Sequence, residues 1–152
     1  MKAESEVFTE NIELPWRDID EGWLLTLAEK ICEFLVIEDV RLSLIMTNDE
    51  YIREINKKYR KKDSPTDVTS FAYMDDEDDF PNIEGAADEL GDIYISLERA
   101  NEQALEYGVT LKEELKRLLI HGILHLIGFD HEKSAEEENI MQAKEEEIFA
   151  SI

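Results

Sequence analysis

The chain predicts an α+β fold with a small mixed β-sheet of about four strands packed with helices. Three observations support this. Stretches of period-two and of helical spacing both occur, they do not alternate in a regular order, and the strongest helical stretch is apolar nearly all round, which marks it as central and buried. With 152 residues and 43% hydrophobic content, the expectation is one domain, residues 1–152, around one core.

From about Asp20 to Leu35, the residues Leu24, Leu27, Ala28, Ile31, Phe34 and Leu35 recur at helical spacing, with Asp18 or Asp20 as the cap. A strand is expected before it, near Val7 to Asn11. Val40 to Met46 sets apolar residues against Arg41 and Ser43 and reads as a strand. Thr47 and Glu50 have the spacing of a capping box opening a second helix, with Tyr51, Ile52, Ile55 and Tyr59 as its buried face. Ser64-Pro65 breaks the chain, and Thr66 to Tyr73 is rich in β-branched and aromatic residues, as a strand is. Five consecutive acids, Asp75 to Asp79, predict a solvated loop, without the spaced ligands and central glycine of a calcium loop. Glu89 to Leu97 predicts another strand, and Ser96 a cap for a helix closing at Gly108. Leu111 to Ile127 is the central helix. Ser134 and Glu137 would box the start of a last, acidic helix reaching Phe149.

The formal net charge of −22 opposes binding to phosphates and to anionic lipid. Its distribution is uneven: of sixteen Lys and Arg, six lie between Arg53 and Lys62 (Arg53, Lys57, Lys58, Arg60, Lys61, Lys62). Such a cluster is either a local anion-binding patch or an exposed helix end favoured by the macrodipole. The single cysteine, Cys32, excludes an intramolecular disulfide and falls in an apolar helical stretch, where it is expected in the core. The first residues lack the basic and apolar regions of a signal peptide and no apolar run is long enough to span a bilayer, so a cytoplasmic protein with no membrane partner is expected.

All three histidines, His121, His125 and His131, fall within eleven residues. On a helix reaching Ile127, His121 and His125 are i, i+4 neighbours able to reach one ion. Gly128 is suited to end that helix in a left-handed conformation and return His131 to the same ion. Three imidazoles with an open fourth position are the ligand set of catalytic zinc, so one Zn2+ is expected. The spacing matches the metzincin pattern H-E-x-x-H-x-x-G-x-x-H except at the glutamate, where Gly122 stands. The helix is therefore a metzincin-like active-site helix without the peptidase's general base. Gly122 points to a close approach, by substrate or by a neighbouring strand, or to a packing contact. Asp130 is placed to orient a ligand imidazole or to receive a proton from water. Asp67 and Asp92 are suited either to line a cleft or to cap turns.

The run His121-Gly-Ile-Leu-His125-Leu-Ile-Gly128-Phe-Asp130-His131-Glu132 resembles that of the bacterial YbeY family, metal-dependent endoribonucleases of ribosomal RNA maturation. Asn56-Lys-Lys-Tyr59-Arg60, followed by Pro65-Thr66-Asp67-Val68-Thr69-Ser70-Phe71, and Leu90-Gly91-Asp92-Ile93-Tyr94-Ile95-Ser96 are similar to its other signature elements, in order and spacing, over about Val40 to Lys133. Thr69, Ala72 and Phe129 depart from the usual residues. The resemblance implies that His121, His125 and His131 hold the metal, and that Arg60 is a catalytic or RNA-contacting arginine. Arg60 and His121 are thus the candidate catalytic residues. Without the resemblance, Arg60 would read as a surface ion pair.

The expected function is a zinc-dependent endoribonuclease that prefers single strands and acts in ribosomal RNA maturation and ribosome quality control, by hydrolysis or transesterification. Its expected partners are ribosomal RNA precursor and a ribosomal subunit or ribosome-associated protein, with no DNA. A metzincin-like metallopeptidase using another base, and a noncatalytic ribosome-assembly factor with a structural metal, are the alternatives.

Overall fold

The computed structural model describes residues 2–72, 88–129 and 134–152. Among these, β1 (Glu4–Thr9), β2 (Val40–Thr47), β3 (Val68–Ala72) and β4 (Asp88–Ser96) form one sheet in the order β1-β2-β4-β3. β1 and β4 run parallel to β2, and β3 runs antiparallel to β4, so the sheet is mixed, as expected. β1 begins earlier than its period suggested, because its register follows β2 from Glu4 against Arg41 to Thr9 against Met46.

The helices are α1 (Glu21–Phe34), α2 (Asp49–Arg60), α3 (Leu97–Tyr107), α4 (Leu111–Leu126) and α5 (Ala135–Ser151). Asp20, Ser96 and Ser134 cap α1, α3 and α5 as expected, each accepting a backbone N–H three residues on. At α2 the cap is Asn48, whose side-chain oxygen accepts from Tyr51 N at 2.9 Å. Thr47 is instead the last residue of β2, fully buried, and its hydroxyl donates to the Glu10 carbonyl at 2.7 Å.

Strand alternation divides the sheet into two unequal faces. Leu42, Leu44 and Met46 of β2 and Ile93 and Ile95 of β4 point to one side, where they are sealed by Leu24, Ala28 and Ile31 of α1, Ala100 of α3 and the apolar residues of α4. α5 closes that core from outside with Met141 and Ile148. The other face carries Ile45, Tyr94 and Phe71, and α2 lies across it with Ile52 buried. Tyr51 stacks on Tyr94 and Tyr59 meets Phe71 edge-on. Tyr59, expected within the buried stripe of α2, is 58% exposed, because the helix passes the edge of the sheet at that turn; Asn56 is the residue buried there.

Two local features of α4 shape its histidine-bearing end. Gly122 packs against the sheet so closely that a Cβ would stand 2.9 Å from Ile93 Cγ2 and 3.3 Å from Ser70 Oγ, so the close approach predicted at this glycine is that of neighbouring strands. At the helix C-terminus, Phe129 N donates to the Leu124 carbonyl at 3.1 Å and Gly128 N to the His125 carbonyl at 3.2 Å, with Gly128 at φ 106°. These two bonds form a Schellman turn, the reversal expected at Gly128.

Candidate active site

Among the described residues β3 is the outer strand of the sheet, and a cleft of about 470 Å³ runs along it. His121 and His125, one turn apart on α4, line it from one face of the sheet; Arg60 and Asn56 of α2 line it from the other, with Thr69 and Ser70 of β3 between. The sheet edge thus brings together groups far apart in sequence.

His121 Nδ1 lies 2.7 Å from Glu145 Oε1, and both side chains are largely shielded from solvent. A carboxylate only accepts, so this contact places a ring proton on Nδ1, and Nε2 is then the nitrogen through which the neutral ring would ligate an ion. That is the tautomer and support that a metal-ligating imidazole requires. With His125 an i, i+4 neighbour lining the same cleft, the donor set fits a divalent ion of imidazole preference.

Arg60 is fixed by its neighbours. Nε donates to Thr69 Oγ1 at 2.9 Å, Nη2 donates to the Ser70 carbonyl, and the guanidinium carbon sits 4.8 Å from the centre of the Phe71 ring. A guanidinium has five N–H donors in a planar fork. These contacts use two of them, so the fork is oriented and still has donors for a phosphate oxygen. No carboxylate holds Arg60 among the described residues; Asp63 is taken by Arg53 at 2.7 Å.

The strand is anchored at its start. Asp67 Oδ1 accepts from Val68 N at 2.7 Å, and Asp67 Oδ2 lies 3.9 Å from Arg117, which is held by Glu114 through two bonds of 2.7 and 2.8 Å. Glu114 is 1% exposed, a buried carboxylate satisfied by that fork. With its amide turned to donate, Gln103 bridges Asp67 and Glu114 at 3.2 and 2.8 Å. Asn56 Nδ2 donates to the Ser64 carbonyl at 3.0 Å and fixes the turn between α2 and β3.

Of the residues singled out in the sequence, His121, His125 and Arg60 are therefore brought to one cleft, and Asp67 lines it while bracing β3. Asp92 alternates with Ile93 on β4 and so belongs to the face of the sheet away from α4. Asp130 and His131, like the acidic run Asp75 to Asp79, lie outside the described residues. Glu145 was not anticipated. Its signal is faint but present: Met141, Glu145 and Ile148 share one stripe of α5 at i, i+4, i+7, so a carboxylate occupies a position whose neighbours are buried.

Residues 8–152 match the family model described as endoribonuclease YbeY. The endoribonuclease YbeY of Persephonella marina is 45% identical over 142 residues, covering 93% of this chain and 90% of that protein. That of Aquifex aeolicus is 43% identical, covering 90% and 83%. The solution structure of TM1509 from Thermotoga maritima superposes with a TM-score of 0.60 at 29% identity, over 95% of this chain and 87% of that one.

Proposed function

Because this chain belongs to the endoribonuclease YbeY family, we propose that the cleft along β3 is the active site of a zinc-dependent endoribonuclease preferring single-stranded RNA, which acts on ribosomal RNA precursor in the cytoplasm. The observation that carries this is the meeting of two imidazoles from one face of the sheet and an oriented guanidinium from the other at a single open cleft.

His121 and His125 would hold the ion, with His131 as the third ligand. The ion, when bound, supplies a Lewis acid for a phosphoryl oxygen and lowers the pKa of water toward about 7. The chain's own part is positioning. Glu145 keeps the Nδ1 proton of His121 in place and its ring aimed. Arg60, braced on β3, binds the scissile phosphate and opposes the charge that gathers on its oxygens as the bond breaks. Lys57, Lys58, Lys61 and Lys62, all exposed at the end of α2, guide the strand to it.

The metzincin pattern carries its base at position 122, which here is pressed against Ile93 and Ser70 with no room for a side chain, so a peptidase would have to draw its base from another element. A purely structural metal is ordinarily closed off by four protein ligands, whereas His121 and His125 line an open cleft. The strongly acidic remainder of the chain weakens binding to generic RNA, which favours recognition within a ribosomal subunit or beside a ribosome-associated protein.

Metal analysis of the purified protein, coupled to cleavage of a defined precursor RNA, tests the proposal. The wild type is expected to hold one zinc per chain and to cut; His125→Ala is expected to lose both properties. Cleavage that survives in a metal-free His125→Ala protein would overturn it.

A further inference from the structure

The last turn of α2 presents an aromatic ring that the catalytic proposal does not use. Tyr59 precedes Arg60 and is 58% exposed, although it lies between helix positions that face the sheet. Its ring stands edge-on to Phe71 at 5.6 Å, and the Arg60 guanidinium carbon lies 4.8 Å from the centre of the same Phe71 ring. Phe71 also meets Tyr94 edge-on at 5.8 Å, so it has an aromatic neighbour besides Tyr59. Tyr59 is thus an exposed ring on a fixed aromatic base, one ring away from the guanidinium that lines the cleft. Lys58 Nζ is 5.2 Å from the Tyr59 ring centre, and Lys57, Lys61 and Lys62 flank it. On a chain of net charge −22, a concentration of positive charge here coincides with an exposed aromatic.

We propose that Tyr59 is a stacking platform for an unpaired nucleobase adjoining the phosphodiester held by Arg60, and that it contributes to the preference for single strands. Single-strand binders pair aromatic platforms with basic grooves in this way, and a base inside a duplex has no free face to offer. Lys58 would then follow the phosphate of the stacked nucleotide. The proposal rests on the endoribonuclease reading of the cleft and adds a binding subsite to it.

The test is a cycle between protein and RNA, with the full-length, metal-loaded chain and a single-stranded oligomer in which one nucleotide near the cleavage site at a time is made abasic. For the wild type, one abasic position is expected to lower kcat/KM roughly ten-fold, mainly through KM. Tyr59→Ala should show the same loss on the intact oligomer and no further loss at that abasic position, while Tyr59→Phe keeps the wild-type values. Losses that simply add would mean that Tyr59 acts only by propping Phe71 and Arg60, and would overturn the platform. So would a Tyr59→Ala protein that cleaves like the wild type, or one impaired only on ribosomal particles, where a protein contact is then at fault. If the wild type cuts neither the oligomer nor the precursor RNA within ribosomal particles, the endoribonuclease reading itself falls, and the platform with it, a result distinct from the others.

Discussion

His121 and Glu145 are joined at 2.7 Å across the α4–α5 packing, so the last helix of the chain reaches into the candidate metal site of the central one. Partners of this kind commonly change metal affinity about 10- to 100-fold when removed. Glu145→Ala is expected to weaken zinc binding by that amount in a chelator competition. Glu145→Gln should lose less, since its amide oxygen still accepts from Nδ1. Unchanged affinity in both would show that the ring is oriented by something else.

Gly122 separates packing from peptidase chemistry. An added methyl group meets Ile93 and Ser70, and overpacking costs about 1–3 kcal/mol, partly offset by about 1 kcal/mol of helix propensity. Gly122→Ala should therefore lower the unfolding free energy in urea by roughly 1 kcal/mol. Gly122→Glu completes the H-E-x-x-H string, yet forces a carboxylate into a buried interface. More than about 3 kcal/mol of stability should go, with no peptidase activity gained. Wild-type stability in Gly122→Glu would mean that helix and sheet are not in close contact there.

Arg60 offers a test of geometry against charge. Arg60→Lys retains a cation but cannot donate to Thr69 and Ser70 while also offering a fork to phosphate. Cleavage should fall about 100-fold or more, with zinc content unchanged and stability lower by about 1 kcal/mol for the lost bonds. A lysine variant as active as the wild type would reduce Arg60 to a point charge.

Ionic strength should expose the footprint of the basic turn. Each single-strand phosphate neutralised contributes about −0.7 to the slope of log affinity against log salt. Engagement of three or four of the exposed cations predicts a slope of about −2 to −3 for an RNA oligomer. The paired change Lys61→Ala with Lys62→Ala should make it shallower by about 1.4 where both contact phosphate. A flat salt response in the wild type would place the RNA elsewhere.

The elements that local signals determine were legible in the sequence. Asp20, Ser96 and Gly108 end their helices where such residues do, and α4 declared itself by apolar residues around its whole circumference. What tertiary context decides was not. Thr47 and Asn48 are both good caps, and the burial of Thr47 in β2 left the role to Asn48. Tyr59 has the spacing of a buried residue, and only the position of the sheet edge leaves it outside. For the site, His121, His125 and Arg60 could be named from spacing and resemblance. Glu145 sits in a run with Glu146 and Glu147, and only the packing of α5 on α4 distinguishes it from them.

The hold of Arg60 on the Ser70 carbonyl has a second consequence, because among the described residues β3 has no strand beyond it. An outermost strand offers its outward backbone groups as a template on which another chain can pair. By occupying one of them, and by keeping a fixed cation beside the row, Arg60 is expected to hinder such recruitment. Variants that remove it are therefore expected to associate more readily, and their mass in solution belongs beside their rates.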